Sequence, residues 1–280
     1  MRPRTFTMAE QDEPQNNNQQ AQRPDTVSAL ERGIAVLRCF DEQHRQLTPT
    51  ELARLTGIPR PTVTRLATTL VTLGFMTQEP GGERFMLGPG VVSLARVFLS
   101  GLDVRAVARP RMQALAEAVG GAVYLAVPDG LDMVLIEACR PRSTMLTARL
   151  DVGSRAPMAN SALGRAYLYA LPAPEREALI ESLRLARGSD WPSLEGGLRR
   201  ALDEAARLGY CSSAGEFHRE INSVSVPLIG PNGEVMALNC GGPAFVFTEP
   251  VLRDSVAPGL IELARVLAAD IGGSVPPPRS

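Results

Sequence analysis

The sequence contains no lysine. All 29 of its basic residues are arginine, and they nearly balance the 30 acidic residues, so that the formal net charge is -1. We attribute the missing lysine to the coding composition of the source organism rather than to function. A near-neutral chain excludes a polybasic nucleic-acid binder, so any contact with DNA has to come from a local patch.

Cysteine and histidine are also sparse. The two histidines are His44 and His218, and the four cysteines form no CxxC pair: Cys39, Cys139, Cys211 and Cys240. This pattern predicts neither a zinc site nor any other metal centre. Scattered cysteines suit a reducing cytoplasm, where they pack as small apolar side chains.

Long apolar runs are missing as well. No apolar core follows the first basic residues, and no uncharged apolar run reaches about 18 residues, so we expect neither a signal peptide nor a membrane span. A chain of 280 residues, 44% of them hydrophobic, is long enough for two globular domains. We expect the protein to lie in the cytoplasm.

Signatures of catalysis are absent too. Three glycine pairs lack the spacing of a P-loop or a dinucleotide-binding fingerprint: Gly120–Gly121, Gly196–Gly197 and Gly241–Gly242. The sequence marks no serine or cysteine partner for His218, although a Ser–His–acid arrangement stays open. We therefore predict no catalytic residues and no cofactor, and we retain an enzyme with an appended DNA-binding domain as an alternative.

The N-terminal part is predicted to be a winged helix-turn-helix over residues 26–88, after a disordered tail at 1–25. Apolar spacing predicts a helix at Val27–Phe40, with Ser28 as its N-cap. Thr48 and Glu51 indicate a capping box for a second helix whose Leu52, Ala53 and Leu55 face inward and which ends at Gly57.

A third helix is predicted at Arg60–Leu73, with Leu73 on its apolar face. Phe75–Gln78 and Arg84–Leu87 then read as a hairpin, and residues 89–101 as a linking helix that contains VVSLARVFL. Pro59 and Pro61 fit a helix start, because the first N–H groups have no partner within the helix.

The polar face of the third helix is predicted to enter the major groove. It carries no acid, and its remaining N–H groups can point at phosphate. Arginine can pair with guanine, and threonine can donate to phosphate or touch a thymine methyl. The candidate DNA contacts are Arg60, Thr62, Thr64, Arg65 and Thr69, with Arg84 on the wing. An ordinary solvated face is the alternative.

The second half, residues 102–272, is predicted to be α+β. Strands are predicted at Ala122–Val127, Met133–Ala138, Met145–Arg149, Ser223–Ile229 and Val235–Cys240, with a block of helices between the third and the fourth. The first two and the last two meet in hairpins, which indicates an antiparallel sheet. A long helix is expected at Glu249–Ile271, and residues 273–280 read as a second disordered tail.

Blocks between residues 27 and 271 resemble the IclR family of bacterial transcriptional regulators. They include LTPTELARLTGIPRPTVTRLATTLVTLGFM, GSRAPMANSALGRAYLYAL, RLGYCSSAGEFHREINSVSVPLI and GEVMALNCGGP. The resemblance implies a GAF-like effector domain that binds a small organic acid, a partner operator in double-stranded DNA, and a homodimer or a dimer of dimers. It leaves open which acid is bound, which operator is read and whether transcription rises or falls. A sensor that has lost DNA binding is the other alternative.

The resemblance also implies the walls of the effector pocket: Asn160, Ser161, Ala162, Leu163, Ser213, Ser223, Asn239 and Gly241. Family members often carry an acid, a cysteine and two serines at the last four positions. The glycine is expected to open space for a bulkier ligand than a two-carbon acid. Arg149 and Arg155 read as a charged clamp or as surface residues, and Glu216 as a residue that orders its loop.

Overall fold

The computed structural model describes residues 26–142 and 150–278. The chain forms two units that divide between Arg96 and Val97. The first is a helix-turn-helix unit, and the second combines helices with an antiparallel sheet. This confirms the predicted fold class.

Three helices and a hairpin make the first unit. They are α1 (Ser28–Leu37), α2 (Pro49–Thr56), α3 (Arg60–Thr72), β1 (Met76–Gln78) and β2 (Phe85–Leu87). Met76 pairs with Leu87, and Leu47 adds an antiparallel bridge to Phe85. The helices and the hairpin share one small core, which includes Val36, Leu52, Val63, Ala67, Met76 and Phe85.

Local signals set the ends of α2. The Thr48 Oγ1 accepts from the Glu51 N–H at 3.3 Å, and the Glu51 carboxylate accepts from the Thr48 N–H at 2.8 Å. Gly57 ends the helix with φ 69°. The capping box is thus confirmed. Ser28 as the N-cap of α1 is wrong, because Val27 holds that position and Ser28 is already helical.

Two leucines predicted to face inward lie outside the core. Leu55 is 43% exposed and Leu73 is 62% exposed. A small unit covers only a narrow stripe of each helix, and Leu73 is the C-cap residue of α3, beyond its last packed turn.

The predicted linking helix is α4 (Gly90–Ser100), which continues across the division between the units. None of its residues is buried in the single chain. Val92, Leu94, Val97 and Phe98 are between 54% and 69% exposed.

A six-stranded sheet organises the second unit. Its strands are β3 (Ala122–Asp129), β4 (Asp132–Cys139), β5 (Arg155–Pro157), β6 (Cys211–Ala214), β7 (Ile221–Ile229) and β8 (Val235–Pro243). They run antiparallel in the order β5-β4-β3-β8-β7-β6. The helices are α5 (Asp103–Val119), α6 (Ala162–Ala170), α7 (Ala173–Arg187), α8 (Trp191–Leu208), α9 (Glu249–Val251) and α10 (Ala257–Ile271).

The sheet separates two apolar cores because successive side chains of a strand point to opposite faces. Val123 and Leu125 pack with residues of α5 and α10. Ala122 and Tyr124 pack with residues of α6 and α8 on the other face. The cavity described below lies on this second face.

The structure differs from the sequence prediction at several elements. The short strands β5 and β6 were not predicted, because three or four residues show no clear alternation. The expected helix at Glu249–Ile271 is interrupted by a π turn at Leu252–Val256. Pro258 follows this turn and cannot donate the hydrogen bond that a regular helix needs there.

Residues 273–278 lie against the second unit, where a disordered tail was expected. Ser274 and Ile229 exchange two backbone hydrogen bonds of 2.8 and 2.9 Å. The Tyr169 hydroxyl donates to the Pro277 carbonyl at 3.1 Å. The expected strand at Met145–Arg149 and the expected tail at 1–25 fall outside the described residues. Among the described helices, none is long and apolar enough to cross a membrane.

Candidate functional site

The polar face of α3 is open to solvent. Arg60, Thr64, Arg65 and Thr69 are exposed, and Thr62 is half-buried. On the opposite face Val63 and Ala67 are completely buried. Arg84 is exposed directly before β2. All six predicted DNA contacts therefore lie on the accessible surface of the first unit.

The first turn of α3 offers fewer backbone donors than expected. The Pro59 carbonyl accepts from the N–H groups of Thr62 and Val63, at 2.9 and 3.0 Å. Pro61 has no N–H. The Arg60 N–H is the first-turn donor left over for phosphate, so the expectation of several free N–H groups is wrong.

The threonine hydroxyls on this face bond to their own helix. The Oγ1 of Thr64 donates to the Arg60 carbonyl at 3.0 Å, and the Oγ1 of Thr69 donates to the Arg65 carbonyl at 2.9 Å. In these rotamers each threonine offers DNA an acceptor oxygen and a methyl group. Thymine contact is therefore better supported for Thr64 than donation to phosphate.

An acid from the wing lies beside the acid-free face of α3. The Arg60 Nη2 is 3.4 Å from the Glu83 Oε2, and both side chains are more than half exposed. An exposed ion pair stabilises a protein by at most about 1 kcal/mol, so Arg60 can leave Glu83 for a phosphate or a base at little cost. Sequence reasoning missed this pair because it joins two separate elements.

A small cavity lies between the sheet and the start of α6, with a volume of about 50 Å³. Six of the eight predicted effector residues line it: Ser161, Ala162, Leu163, Ser223, Asn239 and Gly241. Further lining residues were not predicted: Ala122, Tyr124, Leu150, Ala156, Phe217, His218, Ile221 and Gly242.

The other two predicted residues, Asn160 and Ser213, do not line the cavity. The Ser213 Oγ donates to the Asn160 carbonyl at 2.9 Å, and the Asn160 Nδ2 donates to the Glu216 carbonyl at 3.0 Å. These two hydrogen bonds tie β6 and the segment after it to the start of α6. They position two walls of the cavity relative to each other.

Arg165 reinforces the same connection. Its side chain is 2% exposed, and its guanidinium donates to both carboxylate oxygens of Glu216. It also donates to the Ser212 carbonyl at 2.8 Å. Glu216 thus orders its loop, as predicted from the sequence.

The N-cap and the first two residues of α6 line the cavity. Ser161 is its N-cap, because its Oγ accepts from the Gly164 N–H at 3.1 Å and donates to the Pro157 carbonyl at 2.6 Å. The N–H groups of Ala162 and Leu163 precede that capped position. A helix start of this kind favours an anion.

Two rungs of paired residues form the floor of the cavity. Ser223 of β7 pairs with Gly241 of β8, and Gly241 pairs with Ala122 of β3. In the second rung Asn239 pairs with both Ser225 and Tyr124.

Gly241 does not leave an open space, contrary to the expectation from its missing side chain. A Cβ at this position would lie 2.6 Å from the Ser223 Cβ and 2.7 Å from the Asn222 carbonyl oxygen. The glycine instead allows β7 and β8 to approach closely. Extra room for a ligand has to come from elsewhere.

The second rung is polar and almost fully buried. The Asn239 Nδ2 donates to the Val224 carbonyl at 3.1 Å and to the Ser225 Oγ at 2.8 Å. Burial raises the pKa of the Tyr124 hydroxyl, and the neighbouring Arg140 guanidinium offsets only part of this rise. Tyr124 is therefore protonated at neutral pH.

Phe217 and His218 contribute aromatic rings to the cavity, with centroids 4.1 Å apart. Phe217 is half-buried and His218 is exposed. Sequence reasoning placed this segment beside the pocket but considered only its polar residues. Phe217 and His218 lie between the predicted wall residues Ser213 and Ser223, and this position in the sequence was the available signal that they line the cavity.

Arg155 belongs to the surface. Its Nη1 lies 2.6 Å from the Asp129 carboxylate, and its Nε lies 3.0 Å from the Asp132 carboxylate. Arg149 lies outside the described residues.

Both units match known families. Residues 29–80 match the IclR helix-turn-helix domain, and residues 97–269 match the bacterial transcriptional regulator IclR C-terminal domain. The chain is 32% identical to the HTH-type transcriptional regulator TsaQ1/TsaQ2 of Comamonas testosteroni over 90% of this chain and 91% of that protein.

Solved structures agree with these matches. An IclR family transcriptional regulator from Brucella abortus is 41% identical, with a TM-score of 0.81 over 88% of this chain and 93% of that one. An IclR homologue from Microbacterium hydrocarbonoxydans, solved with 4-hydroxybenzoate, is 25% identical, with a TM-score of 0.64 over 87% and 97% of the two chains.

Proposed function

Because the chain belongs to the IclR family of bacterial transcriptional regulators, we propose that its second unit senses a small organic acid with an aromatic ring. The chain is a DNA-binding transcriptional regulator with a ligand-binding C-terminal domain, and its relatives are regulators rather than enzymes. The observation that carries the proposal is an apolar cavity, part aromatic, bordered by the start of α6. A relative binds 4-hydroxybenzoate, which supports this ligand class.

The carboxylate is assigned to the α6 side of the cavity. Ala162 and Leu163 offer backbone N–H groups there, and Ser223 offers a hydroxyl from the floor. The ring is assigned to the space beside Phe217, Ile221 and Leu163. Asn160 and Ser213 act by holding the walls rather than by touching the ligand.

Ligand entry requires the cavity to open. Its volume is about 50 Å³, whereas a cavity that takes benzene measures about 150 Å³. His218 is the exposed residue among the lining residues and Phe217 is half-buried, and both follow Glu216, which Arg165 anchors. We assign the opening movement to these two residues.

The first unit is assigned to operator DNA through Arg60, Thr62, Thr64, Arg65, Thr69 and Arg84. Arg65 lies in the second turn of an exposed helix face, where a guanidinium can reach a base edge. A regulator that contacts the bacterial chromosome works in the cytoplasm. The symmetric operators that such regulators commonly read suit a homodimer or a dimer of dimers.

Calorimetry with 4-hydroxybenzoate tests the assignment of the carboxylate. We expect Ser223→Ala to weaken binding at least tenfold, because it removes a hydrogen bond to a charged group. Ser212→Ala is the matched control: it removes a hydroxyl that bonds to Glu204 outside the cavity and should leave affinity unchanged. Normal binding by Ser223→Ala would contradict the assignment. Failure of the wild-type chain to bind any benzoate would contradict the aromatic-acid proposal itself.

A further inference from the structure

The wing places an acid against the first residue of α3. The Arg60 Nη2 donates to the Glu83 Oε2 at 3.4 Å. Arg65 lies one turn further along the same exposed face and has no ion pair within the residues that the structure describes. The two arginines of α3 that we assign to DNA are therefore held differently, because only Arg60 is bound by a second element.

A tight turn fixes the backbone that carries Glu83. The Gly82 N–H donates to the Glu79 carbonyl at 3.0 Å and closes a four-residue turn with Pro80 and Gly81 at its centre. Gly81 has φ 71°, and proline followed by such a glycine is typical of a type II turn. Glu83 follows this turn directly, so its position beside α3 is set by the fold of the wing.

A carboxylate at this position opposes binding to DNA in general. Glu83 lies between two residues that we assign to DNA, Arg60 in space and Arg84 in the sequence. Contacts between cations and phosphates supply the affinity for DNA of any sequence. Glu83 repels phosphate and occupies one of these cations, so it lowers that affinity.

The Arg60 guanidinium can hold Glu83 and a base at the same time. It carries five N–H donors, and the bond to Glu83 uses one of them. A guanine accepts two more through its O6 and N7 atoms. The N-terminal residues of a recognition helix are those that contact base edges. A carboxylate that already restricts the rotamers of Arg60 lowers the entropy cost of this contact.

We propose that Glu83 is a positioning residue, which holds Arg60 toward a base edge of the operator and away from the phosphates of unrelated DNA. This inference rests on the proposed function, which assigns Arg60 to operator DNA. It makes Glu83 a determinant of specificity, although Glu83 is not among the predicted DNA contacts. Both side chains are more than half exposed, and an exposed ion pair changes an equilibrium by at most about fivefold.

The test is fluorescence anisotropy of the full chain with two duplexes of equal length: an operator fragment that the chain selects from genomic DNA, and an unrelated sequence. Glu83→Gln should shift the two affinities in opposite directions, each by about twofold to fivefold. Operator binding should weaken because Arg60 loses its orientation. Binding to the unrelated duplex should tighten because Arg60 can neutralise a phosphate, and its salt dependence should steepen by about 0.9 in log–log slope.

Two further variants separate charge from position. Glu79→Gln removes the same charge from the same turn, and Glu79 has no ion pair in the described part of the chain. It should leave the ratio of the two affinities within about twofold of the wild-type ratio. Arg60→Lys keeps a charge for phosphate but loses the planar fork that pairs with guanine. It should weaken operator binding about tenfold and change binding to the unrelated duplex less than twofold.

Two results would overturn the role of Glu83. If Glu83→Gln tightens both complexes by the same factor as Glu79→Gln, Glu83 acts through its charge alone. If it weakens operator binding without strengthening the other complex, Glu83 contacts a base itself. In both cases Arg60→Lys still weakens operator binding, so the assignment of Arg60 stands. Unchanged operator binding by Arg60→Lys would instead refute that assignment and the inference with it.

Discussion

Arg165 is a charged side chain with only 1% of its surface exposed, so its position depends on the groups that accept its hydrogen bonds. Glu216 supplies two of them, and the carbonyls of Ala159 and Ser212 supply others. The guanidinium therefore connects α6 to the segment that carries Phe217. This ion pair adds to the hydrogen bonds of Asn160 and Ser213 that position the two cavity walls.

Glu216→Ala should lower the free energy of unfolding by about 2 kcal/mol, because it leaves buried guanidinium donors without a partner. Urea denaturation of the full chain measures this loss. Glu177→Ala is the control, since Glu177 pairs with Arg199 where both side chains are about half exposed. We expect it to cost less than about 1 kcal/mol. Equal losses in the two variants would show that burial of Arg165 does not matter.

At the scale of elements, α4 is unusual because its apolar residues are exposed in the single chain. Ser93, Arg96 and Ser100 recur at helical spacing and form one polar stripe. Most of the remaining surface is apolar and includes Leu94 and Phe98. A contiguous apolar surface of this kind is typical of an interface, and we assign it to a second copy of the chain.

We expect the chain to self-associate and Leu94→Glu to make it monomeric, because the substitution would bury a charge at the proposed interface. Ser93→Glu adds the same charge to the polar stripe and should leave the assembly intact. Sedimentation velocity distinguishes the two outcomes. A wild-type monomer, or an unchanged mass for Leu94→Glu, would contradict an interface on α4.

Sequence reasoning succeeded where the determining signals are local. The capping box of Thr48 and Glu51 marks the start of α2 within four residues, and Gly57 marks its end. It failed for β5 and β6, because strands of three or four residues show no clear alternation. It also missed Tyr124, because in an alternating strand a tyrosine reads as core until its neighbours are known.

At the scale of the molecule, the chain joins a DNA-binding unit to a ligand-binding unit, for which we propose an acid as the ligand. Such a switch requires the ligand to favour one state of the protein over another, and coupling of this type is typically worth about 1–3 kcal/mol. The resemblance to a family indicated both functions from the sequence. The size of the cavity and the hydrogen-bonding roles of its floor became visible only in the folded chain.

The most direct test is fluorescence anisotropy at fixed salt, using an operator fragment that the full chain selects from genomic DNA. We predict that 4-hydroxybenzoate shifts the apparent affinity for this fragment by about 5-fold to 150-fold. Arg65→Ala should weaken operator binding, whereas Arg200→Ala, an exposed arginine on α8, should not. A wild-type affinity that is equal for unrelated DNA and unchanged by the acid would contradict the account.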